Sequence, residues 1–165
     1  MDIRFDYRGV PNGGCILNYL LEKSRIVTQS KNERNFHIFY QIINGYDEEM
    51  LNNELNLVRD LTKYSYLNNE FDNSNYNQNE INDKENFDIM FDALISCDFT
   101  QEEQINLFKV ISAILNLGNI KFKIDHTTNG KPKFARPDVI ILNDNNSEVA
   151  LDNFCKVINI NNNLL

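Results

Sequence analysis

The chain has 165 residues, 42% hydrophobic and 24% charged, which is the length of about one domain with enough apolar content to bury a core. Its net charge of -8 and sequence pI near 4.7 argue against general nucleic-acid or anionic-membrane binding, because both need clustered Lys and Arg. No apolar run approaches the ~18 residues of a membrane span, and MDIRFDYRGV lacks the apolar core of a signal peptide, so a cytoplasmic location without membrane insertion is the expectation.

Ile3, Phe5 and Tyr7 alternate with Asp2, Arg4 and Asp6, the period of a half-buried strand. Gly9 to Gly14 supplies turn residues, and CILNYLL from Cys15 reads as the returning strand of a hairpin. A charged block follows, Glu22-Lys23-Ser24-Arg25 and then Glu33-Arg34, set between apolar flanks. Charges there must be paired if buried, so an ion-pair junction between strand and helix is favoured over a ligand site. From Glu33 to Asn44, Phe36, Phe39, Tyr40 and Ile43 fall at helical spacing, with Gly45 at the expected end.

A second acidic helix is predicted from Asp47-Glu48-Glu49 through Leu57, then a short ordered pause at Tyr64 to Leu67. Asn68 to Asn82 reads as a loose surface loop, in a chain carrying 28 asparagines that look like compositional bias rather than sites. Order returns with a helix face from Phe87 through Leu94. Thr100-Gln101-Glu102-Glu103 is a capping box opening a helix to about Leu117, whose apolar arc is wide enough to require cover on most sides. Strands are predicted at Ile120 to Ile124 and Val139 to Leu142, and a last amphipathic helix carries Val149, Leu151, Phe154, Val157 and Ile158. Between those strands Lys131, Lys133 and Arg136 form a basic cluster, read either as solvated loop charge or as a contact to an acidic partner.

Catalytic patterns are few. There is no phosphate-cradling glycine loop. His37 sits among apolar residues of a predicted helix and is expected to be packed or hydrogen-bonded, whereas His126 falls in a polar loop without a ligand set. Asp47-Glu48-Glu49 and Glu102-Glu103 occupy helix first turns, where the dipole favours them. Cys15, Cys97 and Cys155 are odd in number and far apart, the expectation being buried reduced thiols and no metal site.

NYLLEKSRIVTQSKNERNFHIFYQIINGYDEE resembles the YLLEKSRVV and ERNYHIFYQLLAG segments of myosin motor heads. FDALISCDFTQEEQINLFKVISAILNLGNIKF resembles the later family segment ending in ILxLGNIxF, and Tyr64 to Asn68 resembles F-x-Y-L-N between them. Asn116 departs from the pattern, standing where the family usually has His. The resemblance implies an α/β fold, a mostly α-helical fragment with an N-terminal β-hairpin, forming part of a P-loop NTPase motor. On it, 1–21 would be a transducer β-hairpin, and 22–165 would be upper 50-kDa subdomain helices with an actin-facing loop.

The same resemblance implies an actin-based, ATP-driven cytoskeletal motor. ATP and Mg2+ would be bound by the full motor and not by this segment, because the family's phosphate loop and switch I would lie upstream and switch II downstream. The parent is then an ATPase, with this chain inactive alone. The implied partners are the actin filament, the remainder of the heavy chain, and light chains through a lever that this sequence lacks. Lys131, Lys133 and Arg136 become candidate actin contacts. Glu22, Arg25, Glu33 and Arg34 become a candidate coupling junction. The alternative reading is a stand-alone, non-enzymatic actin- or protein-binding module built from the same fold.

Overall fold

The computed structural model describes residues 2–17, 23–29, 33–67, 82–125, 138–141 and 144–160, with backbone alone at 24–25, 124–125 and 138–140. Two compact units divide the chain, Met1–Ser30 and Lys31–Leu165. The described part is mostly helical, with two small antiparallel sheets of two strands each.

In the first unit β1 (Asp2–Phe5) pairs antiparallel with β2 (Pro11–Cys15), and α1 (Lys23–Val27) follows. The hairpin is where alternation puts it, but its turn is not. A returning strand forms at Pro11–Cys15, ahead of the expected run from Cys15, of which residues 18–21 lie outside the described residues, and the chain reverses over Asp6 to Val10. The reason is local. The Asp6 carboxylate accepts from the amides of Arg8 at 2.8 Å and Val10 at 2.9 Å, while Gly9 takes φ 79°, a left-handed value that glycine adopts without penalty. Asn12, Gly13 and Gly14 are therefore strand residues. Every residue of both strands is exposed, so alternation here does not mark a buried face within this chain.

The second unit is built from α2 (His37–Gly45), α3 (Glu48–Asn53), two short 3-10 turns (Leu61–Lys63 and Ser65–Leu67), α4 (Asp83–Ser96), α5 (Gln101–Leu117), the hairpin β3 (Phe122–Asp125) with β4 (Asp138–Ile141), and α6 (Asn145–Val157). α2 packs on α4, and α5 on α6. Phe39, Tyr40, Ile42 and Ile43 of α2 join Leu51, Leu55, Leu57, Tyr64, Leu67, Phe87, Phe108 and Leu115 in one core. Tyr46 lies edge-on to Phe87, Phe91 and Phe108, with ring centroids 4.8, 6.4 and 5.6 Å away.

Several boundaries differ from expectation, each for a visible reason. α2 starts at His37, not Glu33, because Phe36 is extended and the Asn35 side chain accepts from its amide at 2.7 Å. α3 ends at Asn53 rather than Leu57. Asn56 turns left-handed with φ 47°, and the Leu57 amide returns to the Leu51 carbonyl at 2.8 Å, a reversal that buries both Leu55 and Leu57. α4 begins four residues early, capped by the Asn82 side chain on the Glu85 amide. The predicted loop Asn68 to Asn82 lies outside the described residues up to 81.

α5 matches its predicted span, and its capping box is complete: Thr100 Oγ1 accepts from the Glu103 amide, and Glu103 accepts from the Thr100 amide. Its cover is incomplete. Phe108, Ser112, Leu115 and Asn116 are buried, but Leu107, Val110, Ile114 and Leu117 form a stripe 40 to 56% exposed. Cys155 is buried as expected, whereas Cys15 and Cys97 are exposed. His37, expected to be packed or hydrogen-bonded, stands exposed as the first residue of α2, on the opposite side of the helix from the buried Phe39 that faces the core.

Candidate functional site

The charged block predicted as a junction is divided between the two units. Glu22 and the side chain of Arg25 lie outside what the structure describes; the backbone of Arg25 belongs to α1. Glu33 is exposed. Arg34 carries the built geometry. Its guanidinium lies 3.8 Å from the centroid of the Tyr40 ring, and one terminal nitrogen donates to Asp83 at 2.9 Å (Oδ1) and 2.8 Å (Oδ2). The two side chains are only 10% and 15% exposed.

This cation is thus desolvated on one side by an aromatic face and neutralised on the other by a carboxylate, the arrangement in which a buried charge is tolerated. Asp83 accepts a further bond from Asn44 Nδ2 at 3.2 Å. Arg34 therefore ties the extended segment before α2 to the first turn of α4, and Asn44 ties in the last turn of α2. The adjacent Asn35 completes the anchorage. Its amide donates to the Tyr40 hydroxyl at 3.1 Å, and its side chain donates to the Tyr66 carbonyl at 2.9 Å.

Around this point the irregular segment after α3 is held by side chains rather than by a ladder. Ser112 donates from its buried hydroxyl to the Leu55 carbonyl, and Asn116 Nδ2 donates back to the Ser112 carbonyl at 3.1 Å. Asn119 grips two backbone groups at once, accepting from the Ser65 amide at 2.8 Å and donating to the Lys63 carbonyl at 2.9 Å. Tyr64 does the same to Val58, accepting from its amide and donating to its carbonyl. Such arrangements give backbone groups outside any ladder their partners, buried ones at Leu55 and Ser112, and fix positions. Their chemistry is mechanical.

Sequence reasoning singled out Arg34 but missed Asp83, Tyr40 and Asn44 as its surroundings. Asp83 sits at the edge of the asparagine-rich stretch, and its only local signal is the sequence Asn82-Asp83-Lys84-Glu85, a helix start four residues ahead of the apolar face that begins at Phe87. Lys131, Lys133 and Arg136 lie outside the described residues, between β3 and β4.

The sequence that builds these two helix pairs, α2 on α4 and α5 on α6, has known relatives. The profile of the myosin head (motor domain) family matches residues 1–165. Unconventional myosin IC of Drosophila melanogaster is 48% identical over 141 residues, covering 86% of this chain and 13% of that protein. Human unconventional myosin-Ib is 45% identical over 130 residues, 79% of this chain and 11% of its own length, and mouse unconventional myosin-Ic is 44% identical over 131 residues, 79% and 12%. The chain belongs to the myosin head family. It spans about an eighth of the length of these relatives or less.

Proposed function

We propose that this chain is a segment of an actin-based, ATP-driven motor head that couples nucleotide state to actin binding. The observation that carries this reading is the family match over residues 1–165. In it, residues 1–21 contribute a hairpin of the transducer sheet in a P-loop NTPase fold, and 22–165 belong to the upper 50-kDa subdomain. ATP and Mg2+ are held by other parts of the head, since the sequence contains none of the family's phosphate-loop or switch motifs. Glu22, Arg25, Glu33 and Arg34 act in coupling, not catalysis; the Arg34, Tyr40 and Asp83 contacts support this by joining two helices at one charge. Lys131, Lys133 and Arg136 meet acidic actin, in the actin cytoskeleton of the cytoplasm.

Sequencing the transcript around this reading frame tests the motor reading: a phosphate loop and switch I upstream with switch II downstream support it, and stop codons on both sides sink it. The contact is tested on the intact head by cosedimentation with actin filaments. Reversing Lys131, Lys133 and Arg136 to Glu is expected to weaken binding about tenfold at low salt, three ion pairs with actin at roughly 0.5 kcal/mol each. Unchanged affinity would remove the loop from the actin interface.

A further inference from the structure

Asn-Gly occurs three times, at Asn12-Gly13, Asn44-Gly45 and Asn129-Gly130, and the structure places the first two in opposite environments. The ladder between β1 and β2 pairs Phe5 with Pro11 but Arg4 with Gly13, so Asn12 is the extra residue of a β-bulge and has no partner on β1. Asn12 and Gly13 are both exposed, and a Cβ placed on Gly13 would meet nothing within 4 Å. Asn44, in contrast, lies in α2 with its carboxamide bonded to Asp83, and Gly45 is buried under the Phe87 ring.

We propose that Asn12 is a site of spontaneous deamidation, and that Asn44 in the same dipeptide is spared. The Gly13 backbone nitrogen attacks the Asn12 side-chain carbonyl carbon. A carbon–nitrogen bond forms, the carbon–amide bond breaks, and ammonia leaves with the proton that Gly13 gives up. Water then opens the resulting five-membered imide at either carbonyl, adding hydroxyl to carbon and hydrogen to nitrogen, and yields aspartate or isoaspartate. No electrons are exchanged with another reagent. The reaction needs an amide nitrogen without a side chain crowding it and backbone freedom to swing it onto the carboxamide, which the open glycine at an exposed bulge supplies. At Asn44 the helix holds that nitrogen away and the bond to a charged carboxylate must first break. Isoaspartate inserts a methylene into the backbone of β2 and adds a negative charge, both of which disturb the register of the hairpin.

The test incubates the full chain at mildly alkaline pH, with and without denaturant, and follows each Asn-Gly peptide by mass spectrometry with isoaspartate detection. Asn12 is expected to convert at least about tenfold faster than Asn44 in the native chain, the bond to Asp83 and the helix adding to the barrier, with the two rates converging in denaturant. Equal native rates, or an Asn12 peptide that stays unchanged, would overturn the proposal. Gly13→Ala, which has room at this position, is expected to slow Asn12 about tenfold or more by crowding the attacking nitrogen; an unchanged rate would exclude the imide route. The Asn129 peptide, outside the described residues, is read separately.

Discussion

At single residues the fold depends on a few close approaches that no propensity describes. Gly45 looked like a helix terminator, yet its backbone is not left-handed; what requires glycine is the Phe87 ring, whose Cγ would lie 2.1 Å from an added Cβ. Gly45→Ala is therefore expected to destabilise the chain by about 1–3 kcal/mol through overpacking, measured by urea unfolding. Pairing it with Phe87→Leu should recover part of the loss, and a neutral Gly45→Ala would mean that the ring moves aside freely. The phenols of Tyr46 and Tyr64 are pushed up from 10.0 to about 12, in both cases chiefly by burial, with the Val58 backbone bond pulling Tyr64 the other way. The folded chain thus prefers the neutral phenol more than the unfolded chain does. That contribution to stability is complete below pH 10 and is lost as pH rises through about 12. Tyrosinate absorbance should show a late-titrating phase that Tyr46→Phe and Tyr64→Phe each reduce; its absence would contradict their burial.

At the scale of elements, the Arg34 and Asp83 contact decides how α2 and α4 are held. Asp83→Leu or Arg34→Met alone should each cost about 3 kcal/mol, because each removes the opposite charge that offsets a nearly buried one. Combining Arg34→Met with Asp83→Leu should recover most of that, and additive losses in the cycle would show that the pair is not coupled. Such contacts were only half legible. Arg34 stood out because it interrupts an apolar flank, but its partner lies 49 residues away and nothing local marks the pairing. Capping was legible in full at Thr100 and Glu103, since a cap is satisfied within one turn. The early end of α3 was not, because Leu55 and Leu57 leave the helix to reach a core supplied by α2 and α5.

Over the whole molecule, burial is uneven. Phe39, Ile42, Ile43, Phe108 and Leu115 lie in one core, while both strands of the first hairpin are exposed on both faces, as a two-stranded sheet is marginal in water by itself. Amide hydrogen exchange of the isolated chain is expected to be fast across residues 2–15 and slowest in α2 and α5, with a broad thermal melt. Slow exchange throughout the hairpin together with a single sharp melt would contradict it. The stripe of Leu107, Val110, Ile114 and Leu117 follows the same logic, an apolar face satisfied on one side of α5 only.

The sequence by itself determined helices α2 to α6, the capping box and the first hairpin, because these rest on periodicity and on residues that act within a turn or two, and its motifs determined the family; α1 lay hidden in the charged block. It also determined that Arg34 needed a partner. Only the tertiary structure decided that the partner is Asp83, that Gly45 makes room for a ring, that Asn12 falls on a bulge, and that the first turn belongs to Asp6 and Gly9. Each of these depends on which distant groups share a few ångströms of space, and that is set by packing the whole core at once rather than by any one stretch of chain.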